Sequence, residues 1–306
     1  MLFRSLLCKR LPYPTGIIAP IAFILIFPLL QAINKQSISV IAAIALLAII
    51  SFVDDRKSLP ALLRLGIQAC CALLIVLAGD CIGGRICSVT NPIEGILGNA
   101  VIDLNGTLPA LAIVVTVVWM LLTTNALNWF DGIPGQTTAL STIGFLAIGL
   151  LSLSDRVHQP QIALIAFVLA AIACGCFLFD VPPPRVVLGD SGSMFFGLML
   201  GVLTVYAGGK VATAFLVLGV PIIDLFFVIV KRLREARSPF TGSMNGEHLH
   251  HRLLAKGWSS RQIIALTAGL GTIFGVSALF LDTTQKFIAA GLITVIMAML
   301  WRYSRK

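Results

Sequence analysis

Charge is scarce in this chain. Of 306 residues, Lys and Arg contribute 22 and Asp and Glu 13, so charged side chains make up 11% against 58% hydrophobic ones. Soluble domains run at about 25% charged and about 45–50% apolar. An ordinary water-soluble globule is therefore excluded, and the solvent for most of these side chains is a bilayer. Low-complexity tracts and a Gly-X-Y period are missing too, which excludes a disordered or a fibrous chain. Histidine is rare, with 4 residues, and no Cys and His spacing of the zinc type occurs. The basic segment Met1 to Arg10 is followed by no small-residue cleavage site, so the first apolar run reads as an uncleaved anchor. Of the 7 cysteines, Cys70, Cys71, Cys174 and Cys176 fall in apolar runs as packing residues. Cys81 and Cys87, in a loop, are the pair that an oxidising compartment would join.

What the chain has instead is a series of apolar runs suited to spanning helices of about 20 residues. They are Gly16 to Ile33, Ile38 to Val53, Leu59 to Ala78, Leu108 to Leu127, Thr137 to Leu153, Gln161 to Phe179, Ser193 to Ala207, Ala212 to Val230, Gln262 to Leu281 and Lys286 to Trp301. The expectation is an all-α fold, a polytopic membrane helix bundle of about ten spans, forming one domain over residues 1–306. An even count puts both termini on one side. Of the Lys and Arg residues, only Lys35, Arg85, Arg156, Lys210 and Lys286 fall on the other side. The positive-inside rule then makes the terminal side cytoplasmic. The pI near 9.5 follows from that topology, and no nucleic-acid partner is needed to explain it.

The polar clusters sort to the same face. Asp54-Asp55-Arg56-Lys57 ends the second run, Asn125-x-x-Asn128-x-x-Asp131-Gly132 ends the fourth, and Gly189-Asp190-Ser191-Gly192-Ser193 opens the seventh. Adjacent carboxylates repel one another unless a positive partner is shared. A divalent cation supplies one reading and a solvated helix end followed by Arg56 and Lys57 another. Acidic points with oxygen-rich neighbours such as Asn128 suit Mg²⁺, which keeps waters and bridges substrate phosphates. The glycine and serine residues around Asp190 open a helix whose free N–H groups favour an anion such as a phosphate; the alternative is a simple Ser N-cap with a Gly turn. Three of the four histidines, His248, His250 and His251, lie beside Arg252 and offer donors to a pyrophosphate; the alternative is an amphipathic helix on the inner leaflet. Asp224 sits inside an apolar run, where a charge costs about 2.5–3.5 kcal/mol. Its partner is a neighbouring span or Lys231, or else it is protonated and structural.

In this order the clusters resemble the polyprenyl-phosphate N-acetylhexosamine-1-phosphate transferase family (glycosyltransferase family 4), and its WecA-like branch in particular. The resemblance runs from about Leu11 to Leu254. It rests on Asp54-Asp55 with Leu59, Arg64 and Gln68, on Asn125-x-x-Asn128-x-x-Asp131-Gly132, on Leu188 to Ser193, and on Ser238-Pro239-Phe240 with His248-x-His250-His251-Arg252-Leu253. It implies a membrane helix bundle in the bacterial inner membrane that uses Mg²⁺, with Mn²⁺ as a substitute. The implied reaction moves a sugar 1-phosphate from a UDP-sugar to polyprenyl phosphate, usually undecaprenyl phosphate, and releases UMP. It also implies catalytic roles for Asp54, Asp55, Asp131, His250 and His251, and metal ligation by Asn128 and Asp190. Arg64, Asn125, His248 and Arg252 are implied to bind substrate, and a homodimer is a further expectation.

The sequence departs from the family pattern in places. Pro134 stands where the third motif commonly has Asp, Arg64 replaces a frequent Lys, and Asn245 replaces a frequent Asp. Competing readings are the sister transferase acting on phospho-N-acetylmuramoyl-pentapeptide, an inactive relative, and a cation or proton carrier suggested by Asp224. A carrier places its ionisable groups near the midplane, whereas these gather at one face.

Overall fold

The computed structural model describes residues 15–79, 84–90, 101–155, 157–208, 210–239 and 246–305. The basic segment at residues 1–10, Cys81, Phe240 and Asn245 lie outside them. The helices in chain order are α1 Ile18–Leu30, α2 Lys35–Arg56, α3 Ala61–Ala78, α4 Leu104–Thr107, α5 Pro109–Phe130, α6 Gln136–Leu153 and α7 Pro160–Asp180. They continue with α8 Gly189–Tyr206, α9 Val211–Val217, α10 Gly219–Arg234, α11 Leu249–Ala255, α12 Ser260–Phe280 and α13 Thr283–Arg305. A short antiparallel pair, β1 Ser88–Thr90 with β2 Val101–Asp103, closes the loop between α3 and α4. Cys87, just before β1, is disulfide-bonded.

Each of the ten apolar runs is helical, but they do not all count alike as spans. Seven helices, α2, α3, α5, α6, α7, α12 and α13, are long and apolar enough to cross a membrane. The bent pair α9 and α10 makes an eighth if taken as one span. The number of about ten is thus approximate, because α1 has only 13 residues and α8 begins with polar ones. The break between α9 and α10 bends the run by 83°. Its cause is local: Pro221 has no N–H to offer Val217, so α9 cannot continue through it, whereas a proline is tolerated in the first turn of α10.

Helix α8 is the axis of the bundle. Every residue from Ser191 to Val205 is buried, as expected of a helix apolar on all sides. It packs on α2, α5 and α6. Small residues set the spacing to α5, because a Cβ on Gly197 would lie 2.6 Å from Thr124 Cα and one on Gly201 would lie 2.5 Å from Thr123 Oγ1. Such close approach is how helices pack in lipid, where burial of apolar surface supplies no drive. The consequence is a fixed register between the end of α5 and the start of α8. On the outside, Leu25, Leu29, Phe280 and Ile288 are exposed, and the chain is a multi-pass membrane protein.

Candidate active site

The site begins at the C-terminal end of α2. Both oxygens of Asp55 point at the start of α8. Asp55 Oδ1 accepts from the Asp190 N–H at 2.8 Å, and Oδ2 accepts from the Ser191 N–H at 3.0 Å and the Ser191 hydroxyl at 2.6 Å. The helix start anticipated as an anion site therefore has its anion within the chain. A phosphate reading of Gly189 to Ser193 is replaced by a capping carboxylate, favoured by the unpaired N–H groups and the helix dipole. Gly16 braces the same turn, since its N–H donates to Leu188 O at 2.9 Å and a Cβ there would strike Leu188 and Gly192. Asp55→Ala is expected to cost about 1–3 kcal/mol of stability, read as a fall in the melting temperature of the purified protein.

Asp54 faces the other way. Its Oδ1 accepts from the Leu59 N–H at 2.6 Å and its Oδ2 from Arg64 Nη1 at 2.8 Å. Arg64 lies between two carboxylates, with Nη1 also 3.6 Å from Asp190 Oδ2. Asp190 in turn accepts from Asn128 Nδ2 at 3.0 Å, and the same amide reaches Ser193 Oγ at 3.1 Å. Asp54, Arg64, Asp190 and Asn128 thus form one continuous polar chain across α2, α3, α8 and α5. Asn125, one turn deeper, donates to Gln68 Oε1 at 2.6 Å. It ties α5 to α3 rather than opening onto the carboxylates. Among the described residues no group of three His, Cys, Asp or Glu is arranged to hold a metal.

The third motif forms the turn between α5 and α6. Asp131 caps α5 and is buried. The turn is pinned from α7, where buried Asp180 accepts from the Gly135 N–H at 2.7 Å and Thr138 Oγ1 at 3.3 Å. Gly135 needs its glycine, with φ at 87°. Asp180 was not legible, because its partner lies 45 residues away and it only ends an apolar run. Gln136 is enclosed, and neither side-chain polar atom has a protein partner. It lines a small cavity with Phe130, Asp224 and His250.

The histidine segment is seated on this turn rather than lying on a membrane surface. His248 packs edge-on against Trp129 at 5.7 Å and stacks parallel on His250 at 5.5 Å. His250 is edge-on to Phe130, and its Nε2 fills the place where a Gly132 side chain would be. Two buried links hold the segment down. Arg232 donates to Glu247 at 2.6 Å while its guanidinium covers Trp129 at 5.0 Å. Asp224 meets His248 Nδ1 at 2.8 Å. The Lys231 alternative for Asp224 is overturned, since Lys231 sits 3.8 Å from Glu235. Arg252 stands apart from the carboxylate chain: its guanidinium lies 3.9 Å over the Trp301 ring and its Nε donates to Gly246 O.

Burial, followed by the neighbouring His251 and His248, holds His250 well below the usual imidazole range. Burial and then His248 bring His251 down to about 4. The neutral forms are thus favoured by folding relative to a free imidazole near 6.5. Between about pH 6.5 and 4 the unfolded chain binds more protons than the folded one. This contribution is intact above pH 6.5 and is lost as pH falls toward 4. The melting temperature should drop between pH 7 and pH 5, and drop less in His251→Gln.

Residues 37–208 match the family described as Glycosyl transferase family 4. A Bacillus subtilis (strain 168) protein named "Probable undecaprenyl-phosphate N-acetylglucosaminyl 1-phosphate transferase" is 31% identical over 188 residues, covering 60% of this chain and 51% of that one. A Mycolicibacterium smegmatis decaprenyl-phosphate N-acetylglucosaminephosphotransferase is 32% identical over 286 residues, covering 84% and 67%. An Escherichia coli (strain K12) undecaprenyl-phosphate alpha-N-acetylglucosaminyl 1-phosphate transferase is 27% identical over 251 residues, covering 78% and 64%. The chain spans about half of the first relative's length and about two thirds of the other two. With the match running through the Asp54, Asn128 and Asp190 motifs that the bundle brings together, the chain belongs to glycosyl transferase family 4.

Proposed function

We propose that the protein transfers N-acetylglucosamine 1-phosphate, or a close hexosamine analogue, from a UDP-sugar to polyprenyl phosphate, yielding the lipid diphospho-sugar and UMP. The observation that carries this reading is the chain Asp54, Arg64, Asp190 and Asn128 at one end of a membrane bundle. An oxygen of the acceptor phosphate attacks the β-phosphorus of the donor, and the bond to the bridging oxygen breaks, so the electron pair leaves with UMP. Such a reaction asks the protein mainly to position two phosphates and to offset charge on oxygen.

We take Mg²⁺ as the ion that suits this chemistry: Asp190 offers a carboxylate and Asn128, whose Nδ2 faces it, an amide oxygen, and Mg²⁺ is commonly bound by one or two carboxylates, with substrate phosphates and waters completing the shell. Bound there, the ion would polarise the diphosphate and neutralise charge on it. Arg64, oriented by Asp54, suits the acceptor phosphate. Asp55 fixes the start of α8 and through it the placement of Asp190. His251 and Arg252 offer donors on the side of the histidine segment.

On this reading the site faces the cytoplasmic side of the bacterial inner membrane, where UDP-sugars are made, in keeping with the distribution of Lys and Arg. Single cysteines replacing Arg56, Arg185 or Arg261 in a cysteine-free background should resist an impermeant thiol reagent added outside intact cells. Labelling at two of them contradicts this orientation. The activity itself is tested with purified protein, undecaprenyl phosphate, Mg²⁺ and a panel of UDP-sugars, following UMP. Release that requires both the lipid and one donor supports the reading, and no release with any donor overturns it.

A further inference from the structure

The buried carboxylate of Asp224 lies outside the polar chain just described and holds three partners of its own. It lies on α10, six residues past the break at Leu218, and is 3% exposed. Its Oδ1 accepts from the Leu249 N–H at 3.0 Å and from Trp301 Nε1 at 2.9 Å, while Oδ2 faces His248 Nδ1 at 2.8 Å. Three elements, α10, α11 and α13, therefore meet on one carboxylate. All three lie beyond residues 37–208, where the family match ends.

A carboxylate already accepting two N–H donors is built as an acceptor, which favours the tautomer of His248 with its proton on Nδ1. The other nitrogen, Nε2, then carries a lone pair, and it is buried with no protein partner. The ring holding it is clamped between Trp129, next to Asn128, and His250, next to Gly132. A histidine whose second nitrogen is fixed by a carboxylate is set in orientation and tautomer for work at the first.

We propose that Asp224 is a positioning residue for the transferase reaction: it fixes the Nδ1–H tautomer of His248 and, with Trp301 of the last helix, seats the histidine segment over the Asn128 to Gly132 turn. Trp301 serves twice, because its Nε1–H holds Asp224 while its ring carries the Arg252 guanidinium. The catalytic consequence rests on the function proposed above; the tautomer and the seating do not.

The variant Asp224→Asn separates the two roles. Its amide oxygen still accepts from Leu249 and Trp301, so the segment stays seated, but its NH₂ faces His248 Nδ1 and drives the proton to Nε2. In the full-length protein, ¹⁵N shifts of the His248 ring should report Nδ1–H in the parent and Nε2–H in the variant, whether or not either turns over. The variant should melt near the parent's temperature, yet UMP release should fall about 10–100-fold in kcat with donor KM little changed. Because Asp224 acts through His248, Asp224→Asn with His248→Ala should be no slower than His248→Ala alone. Should Asp224→Asn fail to fold, Trp301→Phe removes one donor to the carboxylate, keeps a ring under Arg252, and should lower kcat in the same direction. An Nε2–H tautomer in the parent, parental turnover in the variant, or multiplying effects in the double variant would overturn the proposal. A parent with normal Nδ1–H shifts but no UMP release would instead overturn the transferase reading alone.

Discussion

Asp190→Asn is expected to lower turnover by at least ~10²–10³ while the protein folds as before. The amide is nearly isosteric and keeps an oxygen for Asn128 Nδ2. The start of α8 stays capped, because Asp55 accepts from the backbone N–H of residue 190 and from Ser191, not from the Asp190 side chain. What disappears is the negative charge 3.6 Å from Arg64 and the carboxylate of the pair offered to Mg²⁺. The measurement is UMP release across a Mg²⁺ titration alongside a melting curve. Normal release at limiting Mg²⁺ would remove Asp190 from the metal site.

Gly132→Ala should be nearly as severe, by a steric route. A methyl group there would overlap His250 Nε2. His250 cannot simply swing aside, since it is 2% exposed and enclosed by Phe130, His248 and His251. Either the α5–α6 turn or the histidine segment must shift. A displacement of about 1 Å at a reacting centre can cost on the order of 10²-fold, and a loss of that order in kcat/KM is expected. His250→Ala in the same background should return part of the lost activity by vacating the contested volume. Equal activity of Gly132→Ala and the parent would show that the segment leaves this turn before catalysis.

These two variants mark where sequence reading succeeded and where it stopped. The apolar runs were legible because a bilayer imposes length and composition on any helix that crosses it. The break at Leu218 was not, since hydropathy is continuous from Ala212 to Val230 and only the Gly219 to Pro221 step carries the signal. The polar clusters were legible as a set, as residue types that suit phosphate chemistry at matching helix ends. Their division of labour was not. Asp54 and Asp55 are neighbours in sequence, yet a helix turns adjacent side chains about 100° apart, so one faces Arg64 and the other caps α8. Asp180, the Arg232 and Glu247 pair and Trp301 were missed for a related reason. Each acts through a partner brought near only by packing, and Arg232 within Lys231-Arg232 reads as one more cytoplasmic charge.

The central claim is that a phosphoryl group travels with the sugar. It is tested most directly by giving the purified protein undecaprenyl phosphate, Mg²⁺ and UDP-N-acetylglucosamine labelled with ³²P in the β-phosphate alone, then separating lipid from water-soluble products. The account predicts label in the lipid fraction, in step with unlabelled UMP, and its loss in Asp190→Asn. Label retained in water-soluble UDP while the sugar enters the lipid would contradict it, because that outcome describes transfer of the sugar without its phosphate.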